Sequence, residues 1–190
     1  MEIKIEHVEK SIERFANVTR ILAAKASNLP EEELVYFPSI ITKPDSIWAY
    51  TLCSEGPNSD FYDAYIVNAS LCLEMLLKAV LYYERDIWIR GHDLGKLYEQ
   101  ISAPNKKKIN TAYKKLYKDS AWSKPIAKQI KEETGLDIKW NPASLLALSY
   151  KAFEHWRYAF DIKGTRSCFL GYSEIFPALD SLRVELKANK

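Results

Sequence analysis

Glycine is scarce in this chain, 6 among 190 residues, so the tight turns that a β-sandwich needs at each hairpin are mostly missing. Cysteine is rarer still. Cys53, Cys72 and Cys168 form neither a paired framework nor a Cys-x-x-Cys motif, which argues against a disulfide scaffold or a thiolate zinc site and fits reduced thiols. No His-x-x-x-His or Glu-x-x-His pair sets two metal ligands on one helical face. Neither a metal nor a cofactor is expected. No run approaches the roughly 18 apolar residues of a membrane span, and the first ten residues, MEIKIEHVEK, lack a signal-peptide core. A soluble, cytoplasmic protein without a membrane partner is the expectation. Internal repeats and low-complexity segments are absent as well.

What is present is an ordinary soluble balance of 47% apolar and 27% charged residues, rich in aromatics at 13%. A chain of 190 residues can bury one substantial core without a staple, so residues 1–190 read as a single domain. The formal charge of +2 is too small to announce a partner by itself.

Apolar positions Ile5, Val8, Ile12, Phe15, Val18 and Leu22 recur every three to four residues, predicting an amphipathic helix over 3–27, stopped at Ser27-Asn28-Leu29-Pro30. Residues 29–58 hold Pro30, Pro38, Pro44 and Pro57, a proline-rich excursion on the bundle surface; VYFPSIITKP within it suits a short strand or a packed irregular loop. A second, very apolar helix is predicted from Asp60 to about Glu84. Further helices are expected over 93–101 with Asp93 as cap, 105–119 after Pro104, and 125–134 stopped by Gly135. Asn141-Pro142 opens another through residue 160, and a last covers 173–188 with Pro177 in its first turn or marking its true start. Six to eight helices and no confident sheet make an all-α, up-and-down helical bundle.

One stripe of the second helix is unexpectedly polar. Ser70, Glu74 and Lys78 recur at intervals of four, drifting only about 40° per step, between Leu71, Leu73, Leu76, Leu77, Val80 and Leu81. An exposed Glu–Lys pair of this kind contributes about 0.3–0.5 kcal/mol. A half-buried one requires partners, and His92, Arg157 and Asp161 are candidates.

Three segments occurring in order carry a resemblance: Ala69-Ser70-Leu71-Cys72-Leu73-Glu74-Met75-Leu76-Leu77-Lys78-Ala79, then Gly91-His92-Asp93-Leu94-x-x-Leu97, then Arg157-Tyr158-x-x-Asp161. Together they resemble the HEPN superfamily, the higher eukaryotes and prokaryotes nucleotide-binding domains. The resemblance covers about residues 60–102 and 142–162, within a motif-bearing core of about 60–162, leaving the first 58 residues and the lysine-rich middle without an assignable motif. It implies an all-α bundle, often dimeric, that binds RNA or nucleotide in a defence, toxin–antitoxin or stress-response setting, with a nucleotidyltransferase partner in some cases. Glu74, Lys78, His92, Arg157 and Tyr158 would line the ligand cleft.

Many HEPN proteins are metal-independent endoribonucleases with an Arg, four to six intervening residues and a His. The His would act at the ribose 2′-hydroxyl and the Arg would stabilise phosphate charge. The formal match here is Arg85 to His92, but it crosses a helix end, whereas the family's motif belongs to a later helix. His155 and Arg157 suit that later position in reversed order. Three readings thus stand: RNA or nucleotide binding, catalysis through His92 or His155 with Arg85 or Arg157, and a non-catalytic dimerisation module. Structural roles are the plain alternatives, with His92 bonded to Glu74 or backbone, and Arg157 and Tyr158 inside a buried network.

The charge is concentrated in residues 106–131, where Lys106, Lys107, Lys108, Lys114, Lys115, Lys118, Lys124, Lys128 and Lys131 face one acid, Asp119. The first six are the candidate nucleic-acid contacts, with Tyr113, Tyr117 and Trp122 available to stack on bases. Alternatively this is a solvated face whose Tyr113, Leu116 and Tyr117 turn to the core.

Overall fold

A computed structural model describes residues 4–27, 60–120, 123–135, 137–150, 152–153 and 171–190. Among these residues the regular structure is wholly helical: α1 (Ile5–Ser27), α2 (Asp60–Arg85), α3 (Leu94–Glu99), α4 (Ala103–Asp119), α5 (Ser123–Thr134), α6 (Pro142–Leu148) and α7 (Tyr172–Ala188). The proline-rich stretch 29–58, with Cys53, lies outside the described residues, as does Cys168.

Pairings along the long helices fix their directions. Glu9 meets Tyr83 and Ile12 meets Cys72, so α1 and α2 run antiparallel. Tyr65 packs on Tyr172 at one end and Lys190 sits over the Tyr82 ring at the other, so α7 runs parallel to α2. Lys108 reaches Glu185, and Tyr113 and Tyr117 feel the charge of Glu174, which sets α4 antiparallel to α7. The four long helices therefore alternate in direction.

The capping chemistry places the starts as expected. Asp93 accepts a hydrogen bond from the Lys96 N–H at 3.0 Å, and the Asn141 side chain accepts one from the Ser144 N–H at 3.0 Å with Pro142 behind it. At Gly135, φ is +72°, a left-handed stop that suits glycine. The start of α4 is served from a distance. Ser102 makes no side-chain cap, and Glu84 of α2 instead accepts from the Ser102 N–H at 3.1 Å and from Asn105 Nδ2 at 2.7 Å.

Three expectations need correcting. On α1 the deepest residues are Ile12, Ala16, Thr19 and Ala23, while Val18 is 43% exposed. Small residues let α1 approach α2, and Thr19 can enter the seam because its hydroxyl donates to the Phe15 carbonyl at 2.6 Å. The helix expected through residue 160 is interrupted: α6 ends at Leu148, and a turn follows in which the Tyr150 carbonyl accepts the Leu94 N–H at 3.4 Å, while residues 154–160 lie outside the described residues. Pro177 lies in the second turn of α7, which begins at Tyr172.

α2 is the hub. Tyr65, Ile66, Ala69, Cys72, Leu73, Leu76, Leu77, Ala79, Val80 and Leu81 are all buried, against α1, α3 and α7. By length and hydropathy Ala64–Arg85 would pass for a membrane span, but other helices cover most of it. Burial pushes the Cys72 thiol up to about 12.

A polar knot ties one end of this core. Glu9 accepts from Tyr83 at 2.9 Å, from Arg183 at 2.5 Å and from Lys187, while Arg183 Nε donates to Asp180 at 2.8 Å. Burial opposes the Glu9 charge, yet the bonds from Lys187, Tyr83 and Arg183 together hold its carboxyl below the usual 4.5. Asp180 is raised by burial, only partly offset by Arg183.

The packing yields one prediction and the knot another. Leu77→Ala, at a fully buried position, lowers unfolding stability by about 2–5 kcal/mol in urea titration, while Val184→Ala at an exposed one stays within about 0.5 kcal/mol. Because the folded pKa of Glu9 is depressed, its stabilisation is present above 4.5 and drains away as pH falls below that value. Glu9→Gln therefore flattens the acid arm of the stability–pH curve below 4.5; an unchanged slope refutes the assignment. Asp180 contributes with the opposite sign, since its carboxyl is raised.

Candidate functional site

The candidate site is centred on Glu74, midway along α2. Ser70 is satisfied within its own helix, donating to the Val67 carbonyl at 3.0 Å. Glu74 is 4% exposed and Lys78 7% exposed, so theirs is a buried pair and not the weak surface kind. Lys78 Nζ donates to Glu74 Oε1 at 2.7 Å and stands 5.9 Å from the centre of the Trp88 ring.

The third member arrives from the loop after α2. From Glu74 to Arg85 the helix runs about 16 Å, and the loop must return that distance to reach the carboxylate. Seven extended residues at roughly 3.3 Å each suffice, with Asp86 at φ 59° and Gly91 at φ 106° making the bends. His92 Nδ1 then lies 3.0 Å from both Glu74 oxygens. Beyond it, Asp93 starts α3, which lies directly on α6. Gly95 permits that approach, since a Cβ there would stand 3.1 Å from Ala147 Cα. The same docking brings Phe153 to the His92 ring, stacked at 6.5 Å and 25°.

The chemistry follows from this geometry. With Nδ1–H donating to the carboxylate, the imidazole is held in one tautomer and orientation, and Nε2 keeps its lone pair. The His92 side chain is 60% exposed although its anchor is buried. Nε2 can thus accept a proton from a group in solvent, or donate one when the ring is charged. Lys78 supplies positive charge one helical turn away, and Trp88 an aromatic surface beside it.

Of the other expected site residues, Arg85 is engaged elsewhere. Its guanidinium donates to the Gln100 carbonyl and lies 3.6 Å from Glu84, at the α3–α4 junction, so it shares no partner with His92. His155, Arg157, Tyr158 and Asp161 lie outside the described residues, as does Trp122. Among the described residues no three His, Cys, Asp or Glu side chains gather as a metal ion would require.

Trp88 and Phe153 were not anticipated. Trp88 follows the helix end by three residues and Phe153 opens the segment FEHWRYAFD, but neither is tied to Glu74 by any sequence spacing. A second buried carboxylate, Glu174, also went unforeseen; it accepts from the Ser123 hydroxyl at 2.6 Å and the Ser173 hydroxyl at 2.9 Å. Burial first, and then the charge of Glu174, pushes the Tyr113 and Tyr117 phenols up.

The lysines divide. Lys106 donates to the Glu99 carbonyl and lies over the Tyr98 ring, Lys108 pairs with Glu185, and Lys128 and Lys131 pair with Glu132 and Asp137. Lys107, Lys114, Lys115 and Lys118 are exposed. Tyr113 is 1% exposed, and Tyr117 is partly buried between Tyr113 and Trp140. The inward reading of these two tyrosines is therefore the correct one.

Comparison with known protein families, curated proteins and solved structures finds no match to this chain.

The site makes its own prediction. Glu74→Leu strands the Lys78 ammonium in the core and costs about 3–5 kcal/mol, whereas Glu74→Leu with Lys78→Met removes both charges and costs less than the single change. Urea titration of the two variants decides it: a double variant no more stable than the single one rules out charge pairing as the reason these residues are buried.

Proposed function

We propose that this chain is a HEPN-like RNA- or nucleotide-binding domain, cytoplasmic, serving prokaryotic defence, toxin–antitoxin or stress response. The observation that carries the reading is His92: its Nδ1 is anchored by a buried carboxylate while its outer edge is open, beside Lys78 and the Trp88 and Phe153 rings. A histidine that served only to fill the fold would have its ring covered. Here the ring is fixed through Nδ1 and the side chain is still 60% exposed, so that it can meet a phosphate or a ribose hydroxyl. The alternating directions of the long helices agree with the bundle that the HEPN resemblance implies.

A second reading, metal-independent endoribonuclease, is favoured by the same anchoring. Acid–base work at a 2′-hydroxyl needs an imidazole whose reacting nitrogen is presented in a fixed tautomer, and a carboxylate on the other nitrogen does this. The charge-stabilising group would be Lys78 or Arg157, since Arg85 is turned to Gln100.

Labelled RNA titrated with protein at low salt tests the first reading. Binding is expected, and His92→Ala should weaken it by about tenfold, roughly 1.4 kcal/mol; unchanged affinity removes His92 from the site. Incubation of RNA with protein and EDTA tests the second, with cleavage lost in His92→Ala. RNA intact after long incubation eliminates catalysis and leaves binding. A protein that ignores RNA yet elutes as a dimer, or with a nucleotidyltransferase, would be an interaction module instead.

A further inference from the structure

α4 is two-faced. Asn105, Ile109 and Tyr113 are buried, with Ala112, Leu116 and Tyr117 packed beside them. On the opposite face Lys107, Lys114 and Lys118 fall within about 20° of one line along the helix, with Thr111 between them and Lys115 alongside, all exposed. The three are spaced at about 10 Å and about 6 Å by the 1.5 Å rise. Lys124 lies close to the end of this row, donating to the Lys118 carbonyl at 2.6 Å. No carboxylate comes within ion-pair distance of Lys107, Lys114, Lys115 or Lys118 among the described residues.

The row has charge and no ring. Tyr113 and Tyr117, the aromatic residues of α4, point inward and stack on one another and on Trp140. Among the described residues this face offers no ring to stack on unpaired bases, and lysine, a flexible point charge, carries no bidentate base readout. What remains is attraction to phosphates through counterion release, which is strongest where phosphates are densest, along a duplex.

We propose that the Lys107–Lys114–Lys118 row of α4 is a track for the phosphate backbone of double-stranded RNA, independent of base sequence. The proposal rests on the reading that this chain binds RNA and adds which form it takes and where. It is separate from the His92 site, with which it shares no residue.

The test is fluorescence anisotropy of full-length protein with a short labelled RNA duplex, and with a single strand of equal phosphate number, over a range of salt. Lys107→Gln/Lys114→Gln/Lys118→Gln is compared with a charge-matched control off α4, Lys25→Gln/Lys128→Gln/Lys131→Gln. The expected result is tighter duplex than single-strand binding, and a log affinity–log salt slope shallower by about 2 to 3 in the α4 variant only. RNA binding with both variants alike overturns the α4 assignment and leaves the RNA reading standing. Single-strand preference overturns the duplex assignment. Absence of RNA binding by the unmodified protein at low salt removes the functional reading and this proposal with it, as does capture by phosphatidylserine vesicles without RNA binding.

Discussion

A helix enclosed by neighbours cannot leave a polar group unanswered, and α2 carries several. Its Cys72 thiol donates to the Ile12 carbonyl at 3.7 Å, its Tyr83 hydroxyl to Glu9, and its Glu84 carboxylate accepts from Ser102 and Asn105. Glu74 takes both Lys78 and His92. Apart from Lys78, on α2 itself, the answers come from three parts of the chain: α1, the start of α4, and the loop before α3. Apolar burial makes α2 central, but it is non-directional. The polar bonds are what fix where each neighbour sits along it.

This division explains what could be read from the residues alone. Helix existence follows periodicity, and starts follow side chains that bond their own backbone, so Asp93 and Asn141 placed theirs correctly. The break after Leu148 has no local signal: it depends on Tyr150 meeting Leu94, more than fifty residues earlier in the chain. The α1 seam misled for a related reason. A hydropathy pattern weights Val18 above Ala16, but close helix packing prefers the smaller residue, and only the partner surface reveals that.

Half of the polar site was legible and half was not. The spacing of Ser70, Glu74 and Lys78 announced a stripe, and the cost of burying a carboxylate demanded a donor, which His92 supplies. Trp88 and Phe153 were invisible because an aromatic residue in a loop or short helix carries no spacing that identifies its target. Arg85 shows the opposite error. Its distance from His92 in sequence fits a nuclease pattern, yet α2 ends between them and sends the two side chains to different partners.

The lysines and the buried acids belong to one pattern. Glu74, Glu84, Glu174 and Asp180 are held inside or at helix junctions, each bonded to named donors, so their charge is spent on fixing position. Among the described residues, Lys107, Lys114, Lys115 and Lys118 on the outer α4 face have no carboxylate within ion-pair distance, so their charge remains available to solvent. A net charge of +2 conceals this because it counts inward and outward groups alike. The fold therefore sorts charge by position: a pinned carboxylate orients His92, and the lysines of the outer α4 face stand in solvent.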